Sequence, residues 1–152
     1  MEFQADIPFA RLLGLELVRF EPALAVLALE MRPELTNSWA VAHGGVTMTL
    51  LDVAMAHAAR SPRVDGSAWE SGVVTVEMKT SFLLPAEGRL VATARCLRRT
   101  ASLAFCEASM TRSDGEITAH ATGTFKFLRG LPAGSDGREV RRQAGTPDAP
   151  TP

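Results

Sequence analysis

Apolar and polar residues change rhythm several times along this chain. Pro8 suits the first turn of a short helix and Gly14 suits its end, so "PFARLLG" predicts a cap-like helical turn. "LELVRF" (15–20) and "LAVLALEM" (24–31), parted by Pro22, predict two strands in a hairpin. The second is apolar on both faces, which suits a central strand. After the loop "RPELTNSWAVAHGG" comes a segment, residues 44–60, that is apolar or small almost all round. It predicts a helix buried rather than lying on a surface.

A polar linker then leads to "VVTVEMKTSF", where Val74, Val76, Met78 and Phe82 alternate with Thr75, Glu77, Lys79 and Ser81. The alternation predicts a strand with one face wet or lining a site. "GRLVATARCLRR", "SLAFCEASMTR" and "EITAHATGTFKFL" continue the pattern, with turn signals at 85–88, 99–101 and 113–115. These predict four strands in an antiparallel meander. The final stretch, 130–152, is rich in glycine, proline and charge without an apolar period and predicts a disordered tail, its Arg138, Arg141 and Arg142 solvated. Residues 1–129 therefore read as one α+β domain, an antiparallel sheet wrapped around one long helix. A single sheet on one helix leaves an edge and the helix's far side uncovered, and dimerisation covers both most simply.

Composition narrows the classes further. The chain has 152 residues, 46% apolar and 22% charged, which suits a single soluble globular domain. Sixteen basic against seventeen acidic residues leave a formal charge of -1, so nothing in the balance points to nucleic acid or an anionic membrane as partner. The N-terminus carries acids where a leader needs basic residues, and no apolar run approaches the roughly 20 residues of a span, which predicts a cytoplasmic protein. Cys96 and Cys106 lack C-x-x-C spacing and read as reduced core thiols. His43, His57 and His120 fit no metal spacing, and no metal is expected.

The chemistry gathers in "NSWAVAHGGVTMTLLDVAMAHAA", residues 37–59. A helix starting at Gly44 exposes unpaired N–H groups and the positive end of its dipole, and glycine lets a ligand approach the backbone. Such a place stabilises the oxyanion of acyl transfer. Asp52, in apolar surroundings, would activate water or attack directly. A packing account stands beside this one: the Gly44-Gly45 pair as a tight start to a buried helix, and Asp52 as an acid satisfied by Thr49 one turn back. Eight residues of helix separate Gly44 from Asp52 by about 12 Å along the axis. One carbonyl cannot touch both, so a shared site requires Gly44 of one copy facing Asp52 of another.

Asn37, the His43-Gly44-Gly45 triplet, Asp52 and the later "VVTVEMKTSFLLPA" together resemble the hotdog-fold acyl-CoA thioesterases, and in particular the phenylacetyl-CoA-type branch. The likeness runs from about residue 10 to residue 128 and agrees with the order of elements. It implies that Gly44 supplies the N–H that polarises the thioester carbonyl, that Asp52 is the base or nucleophile, and that Asn37 orients water or the thioester. It also places on Thr75 a hydroxyl found in some members. His43 would fix the loop by hydrogen bonds; His57 would pack, and His120 would lie at the surface. The implied substrate, an acyl-CoA, carries phosphates, for which Arg98 and Arg99 at a hairpin end are the candidate cations, ahead of Lys79, Arg89, Arg112 and Lys126. Gly45, Trp39, Met48 and Met55 would line the way to the acyl group. The implied assembly is a homodimer, paired again into a tetramer, hydrolysing aromatic or medium- to long-chain acyl-CoA without metal or redox cofactor. A hotdog hydratase is disfavoured because "HGGVTMTLLD" lacks the prolines expected after its histidine. A non-catalytic acyl-CoA binder on the same scaffold is the alternative from another class.

Overall fold

The computed structural model describes Met1, Phe3, residues 6–66 and residues 72–128. The expected tail, 130–152, lies outside them. A short helix α1 (Pro8–Leu13) ends at Gly14, whose φ of 78° is the left-handed conformation that glycine adopts freely. Then follow β1 (Glu16–Glu21), β2 (Leu24–Glu30), a 3-10 turn at Pro33–Leu35, the long helix α2 (Gly44–Ala59), and four strands. These are β3 (Gly72–Phe82), β4 (Arg89–Arg99), β5 (Leu103–Thr111) and β6 (Ile117–Leu128). All six strands form one antiparallel sheet in the order β1-β2-β4-β5-β6-β3.

Two expectations change here. The meander holds for β4, β5 and β6, but β3 pairs along its length with β6 at the far edge, while β4 pairs with β2. Residues 83–88 are not a tight turn. Leu83 and Leu84 both donate N–H to the Thr118 carbonyl, the Ala86 carbonyl accepts from the Ala42 N–H, and the Gly88 carbonyl accepts from the Met31 N–H. The segment is thus stitched across the domain from one edge to the centre.

The second change concerns the alternation in β3. Its register shifts between Thr75 and Glu77, so that Thr75 pairs with the buried Phe125 while Glu77 pairs with Thr124. One extra residue, Val76, inserts a bulge and reverses the faces on either side of it. Thr75 therefore points to the helix side, Glu77 accepts a hydrogen bond from Thr124 on the outer side (2.6 Å), and Val76 stands exposed. A second bulge, in β4 between Cys96 and Arg98, does the same for Arg99, which pairs with the buried Ala104.

β2 is buried along six of its seven residues, as its continuous apolar run requires. α2 lies across the sheet's inner face with Thr47, Leu50, Leu51, Ala54, Met55, His57, Ala58 and Ala59 buried. It is not buried all round. Gly45, Met48, Thr49, Asp52, Val53 and Ala56 form a stripe with remaining exposure, at the three- and four-residue spacing of one helix face. Gly123 shows how closely helix and sheet approach: a Cβ there would come within 3.2 Å of the Met55 methyl and 3.1 Å of the Phe125 ring.

Candidate active site

The loop before α2 is held by its own polar groups. Asn37 accepts the Trp39 N–H on Oδ1 (2.8 Å) and donates its own N–H to the Val41 carbonyl (2.8 Å). This is the local turn that asparagine side chains favour. Trp39 sits at the turn with 83% of its surface exposed. Thr36 and Ala42 form a bridge, and the His43 N–H donates to the Leu35 carbonyl (2.9 Å), which fixes the direction in which α2 begins.

His43 is the N-cap of α2. Its Nδ1 accepts the Gly45 N–H (3.0 Å), and its carbonyl accepts from Val46 (2.9 Å) and Thr47 (3.2 Å). An accepting Nδ1 assigns the proton of the neutral ring to Nε2. Of the several open N–H groups expected at this helix start, only that of Gly44 is left without an acceptor among the described residues. A Cβ on Gly44 would meet nothing closer than the Phe82 ring at 3.6 Å. That ring, from the end of β3, is the neighbour that the sequence did not single out. Its signal was an apolar residue ending the alternating strand and followed by two more, Leu83 and Leu84.

Asp52 lies on the exposed stripe of α2, two turns beyond. Thr75 Oγ1 donates to its Oδ1 (2.7 Å). Thr49 does not reach it, because its hydroxyl donates instead to the Gly45 carbonyl one turn back (2.8 Å). Asp52 Oδ2 has no partner among the described residues. Burial raises the carboxyl above its ordinary pKa of 3.8, and the Thr75 hydrogen bond partly opposes this by stabilising the ionised form. In its ionised form, a half-buried acid with one open oxygen is equipped to take a proton from water.

Other expected residues fall elsewhere. Met55 has no exposed surface and packs in the core, so it does not line an open pocket; Met48, on the exposed stripe, remains available. Arg99 donates through Nε to the Ala59 carbonyl (2.8 Å) and through Nη2 to the Ala58 carbonyl (2.7 Å) and the Ser61 hydroxyl. These bonds cap the C-terminus of α2, so the described contacts of Arg99 are structural, and the bulge separates it from the outward-facing, exposed Arg98. His57 is buried, its Nδ1 2.7 Å from the Val53 carbonyl and its ring edge-on to Phe3 and Phe20. His120 is half-buried on the outer face, in register with Ser81 and Ser109.

Residues 40–119 match the Thioesterase superfamily, a span that holds His43, Gly44, Asp52 and Thr75. The medium/long-chain acyl-CoA thioesterase YigI of Salmonella typhimurium is 32% identical over 135 residues, 81% of this chain and 87% of that protein. The chain belongs to the thioesterase superfamily. Its structure resembles that of a conserved protein from Pseudomonas aeruginosa, with a TM-score of 0.74 and 28% identity over 82% of this chain and 97% of the other. It also resembles the PaaI protein of the Escherichia coli phenylacetic acid degradation operon, with a TM-score of 0.73 over 81% and 86% of the two chains. At 20% identity the latter likeness speaks for the fold. This thioesterase thus has the hotdog architecture, a six-stranded antiparallel sheet wrapped on one main helix. Among its described residues no helix is long and apolar enough to cross a membrane.

Proposed function

We propose that this thioesterase hydrolyses acyl-CoA thioesters in the cytoplasm to free acid and coenzyme A, with Asp52 as the base or nucleophile and the Gly44 N–H as oxyanion donor. The observation that carries the reading is the Asp52–Thr75 pair, a carboxylate with one oxygen held and one open on the unburied stripe of α2. The relatives named as medium/long-chain acyl-CoA thioesterases support the coenzyme and favour medium to long acyl chains, with aromatic acyl groups the other class to test.

The catalytic unit is a homodimer in this reading. Gly44 and Asp52 stand about 12 Å apart along one helix, too far to share a carbonyl. Among the described residues the eleven-residue β3 has no partner on its outer side, and Val76 and Phe82 within it and Leu83 and Leu84 after it are 43–57% exposed. A second copy along that edge would cover them and bring its helix start toward Asp52. Met48 and Gly45 then flank the acyl group, Trp39 stands at the loop beside it, and Asn37 shapes that loop. Arg98 is the cation offered to the coenzyme's phosphates. The chemistry assigned to these residues calls for no cofactor, and pairing of dimers is a further level that this site does not need.

Free-thiol release from phenylacetyl-, benzoyl- and straight-chain acyl-CoAs from butyryl to palmitoyl tests the reading, with wild type and Asp52→Asn side by side. Turnover that falls by about a hundredfold or more in Asp52→Asn, with binding retained, is expected. Binding without any turnover by the wild type would instead make the protein an acyl-CoA binder.

A further inference from the structure

Away from the Asp52–Thr75 pair, the structure brings the two cysteines together. Cys96 of β4 and Cys106 of β5 are direct register partners, so both side chains lie on the same face of the sheet. That face is the inner one, where Cys106 is buried among the core residues and Cys96 packs half-buried against them. The kind of pairing matters. Cys96 donates its N–H to the Ala23 carbonyl, on the β2 side of β4 (2.9 Å), so its backbone groups point away from β5. The Cys96–Cys106 pair is therefore a non-hydrogen-bonded pair, the type in which opposed Cα atoms come closest, about 4.5 Å, and side chains meet. That separation lies at the near end of the range a disulfide spans.

We infer that Cys96 and Cys106 form a reversible dithiol–disulfide site, closed by a peroxide and reopened by a dithiol. The Cys96 thiolate attacks one oxygen of hydrogen peroxide, the O–O bond breaks, and the released hydroxide takes up the proton lost from Cys96 and leaves as water. The sulfenic acid on Cys96 is then attacked by the Cys106 sulfur. The S–S bond forms, the S–O bond breaks, and the oxygen leaves as a second water with the Cys106 proton. Two electrons pass from the two thiols to the peroxide.

The surroundings assign the roles within the pair. Hydrogen bonding from Cys106 stabilises a Cys96 thiolate and lowers its pKa against the effect of burial, helped by the Arg99 guanidinium. The same hydrogen bond, with burial, raises Cys106. Cys96, the less buried, is the attacking thiol, and Cys106 resolves. This pair lies outside the proposed hydrolytic site, so its test does not depend on the substrate.

The full-length protein is treated with stoichiometric hydrogen peroxide, denatured in an alkylating reagent and mapped by peptide mass without reduction. Both thiols are expected to vanish together from the alkylated pool, with a Cys96–Cys106 linked peptide that dithiothreitol removes. In Cys106→Ala the reaction should stop at a sulfenic acid on Cys96, trapped by dimedone, and in Cys96→Ala oxidation of Cys106 should slow at least about tenfold. Both thiols remaining alkylatable in the wild type, or links formed only between chains, would overturn the inference. The wild-type result decides even if a variant fails to fold.

Discussion

The bulges in β3 and β4 do the same thing to the backbone and opposite things for the protein. Each inserts one residue, Val76 or Leu97, that is left exposed, and each turns a nearby polar side chain onto α2. In β4 that side chain is Arg99, which together with Ser61 saturates the carbonyls of the helix C-terminus. In β3 it is Thr75, which makes one bond to Asp52 and leaves the other carboxylate oxygen open. The Gly44 N–H at the helix start likewise has no acceptor among the described residues. A fold satisfies buried polar groups wherever it can. These two open groups, half-buried rather than buried, are where the proposed chemistry lies.

Four changes separate the two regions. The largest effect is expected from Asp52→Asn, which should cut turnover by about a hundredfold or more while retaining acyl-CoA binding, read by thiol release and by isothermal titration. Arg99→Ala should act on the other side of the comparison. Loss of charged hydrogen bonds to the helix carbonyls should reduce stability by about 2 kcal/mol in urea unfolding, with turnover per folded molecule unchanged. Gly44→Ala comes next: the added methyl finds only the Phe82 ring at 3.6 Å, so the fold should hold, while obstruction beside the open N–H should lower turnover about tenfold. A melting temperature that falls along with turnover would return Gly44 to a packing role.

The smallest effect concerns pH. Burial holds the Asp52 carboxyl above 3.8 and Thr75 opposes that shift, so the acid limb of kcat should lie above the ordinary carboxylate range. Thr75→Val removes the opposing bond and should move this limb to higher pH. Stability follows the same sign. A raised carboxyl costs folding free energy once ionised, so Asp52→Asn should melt higher than wild type at neutral pH. That advantage should disappear as pH falls below the ordinary carboxylate value, where Asp52 is protonated in both folded and unfolded chains.

Much of this was legible in the sequence because it is local. The apolar run of β2, the glycine after α1, the start of α2 at Gly44 and the hairpins of β4, β5 and β6 follow from spacing within a few residues. The place of β3 was not legible, because strand alternation reports which face is buried and not which neighbour buries it. A bulge has no signature in "VVTVEMKTSF", so the pattern put Thr75 on the face of Glu77, and only register with Phe125 turns it inward. Arg99 reads as a phosphate cation because it stands at a hairpin end, and nothing in the alternation signals the bulge at Leu97 that turns it inward. Met55 was misplaced because a helix apolar all round does not say which methionine meets the sheet.

The claim that Gly44 and Asp52 act on one thioester from two chains is tested most directly by mixing subunits. Asp52→Asn and Gly44→Val, each expected to lose most turnover alone, are unfolded together in equal amounts and refolded. If the site is shared, every mixed dimer holds one intact Gly44–Asp52 pair, and about a quarter of the wild-type rate should return. If both residues serve the same chain, no mixed dimer holds an intact site, and a mixture as inactive as its parents would contradict the account.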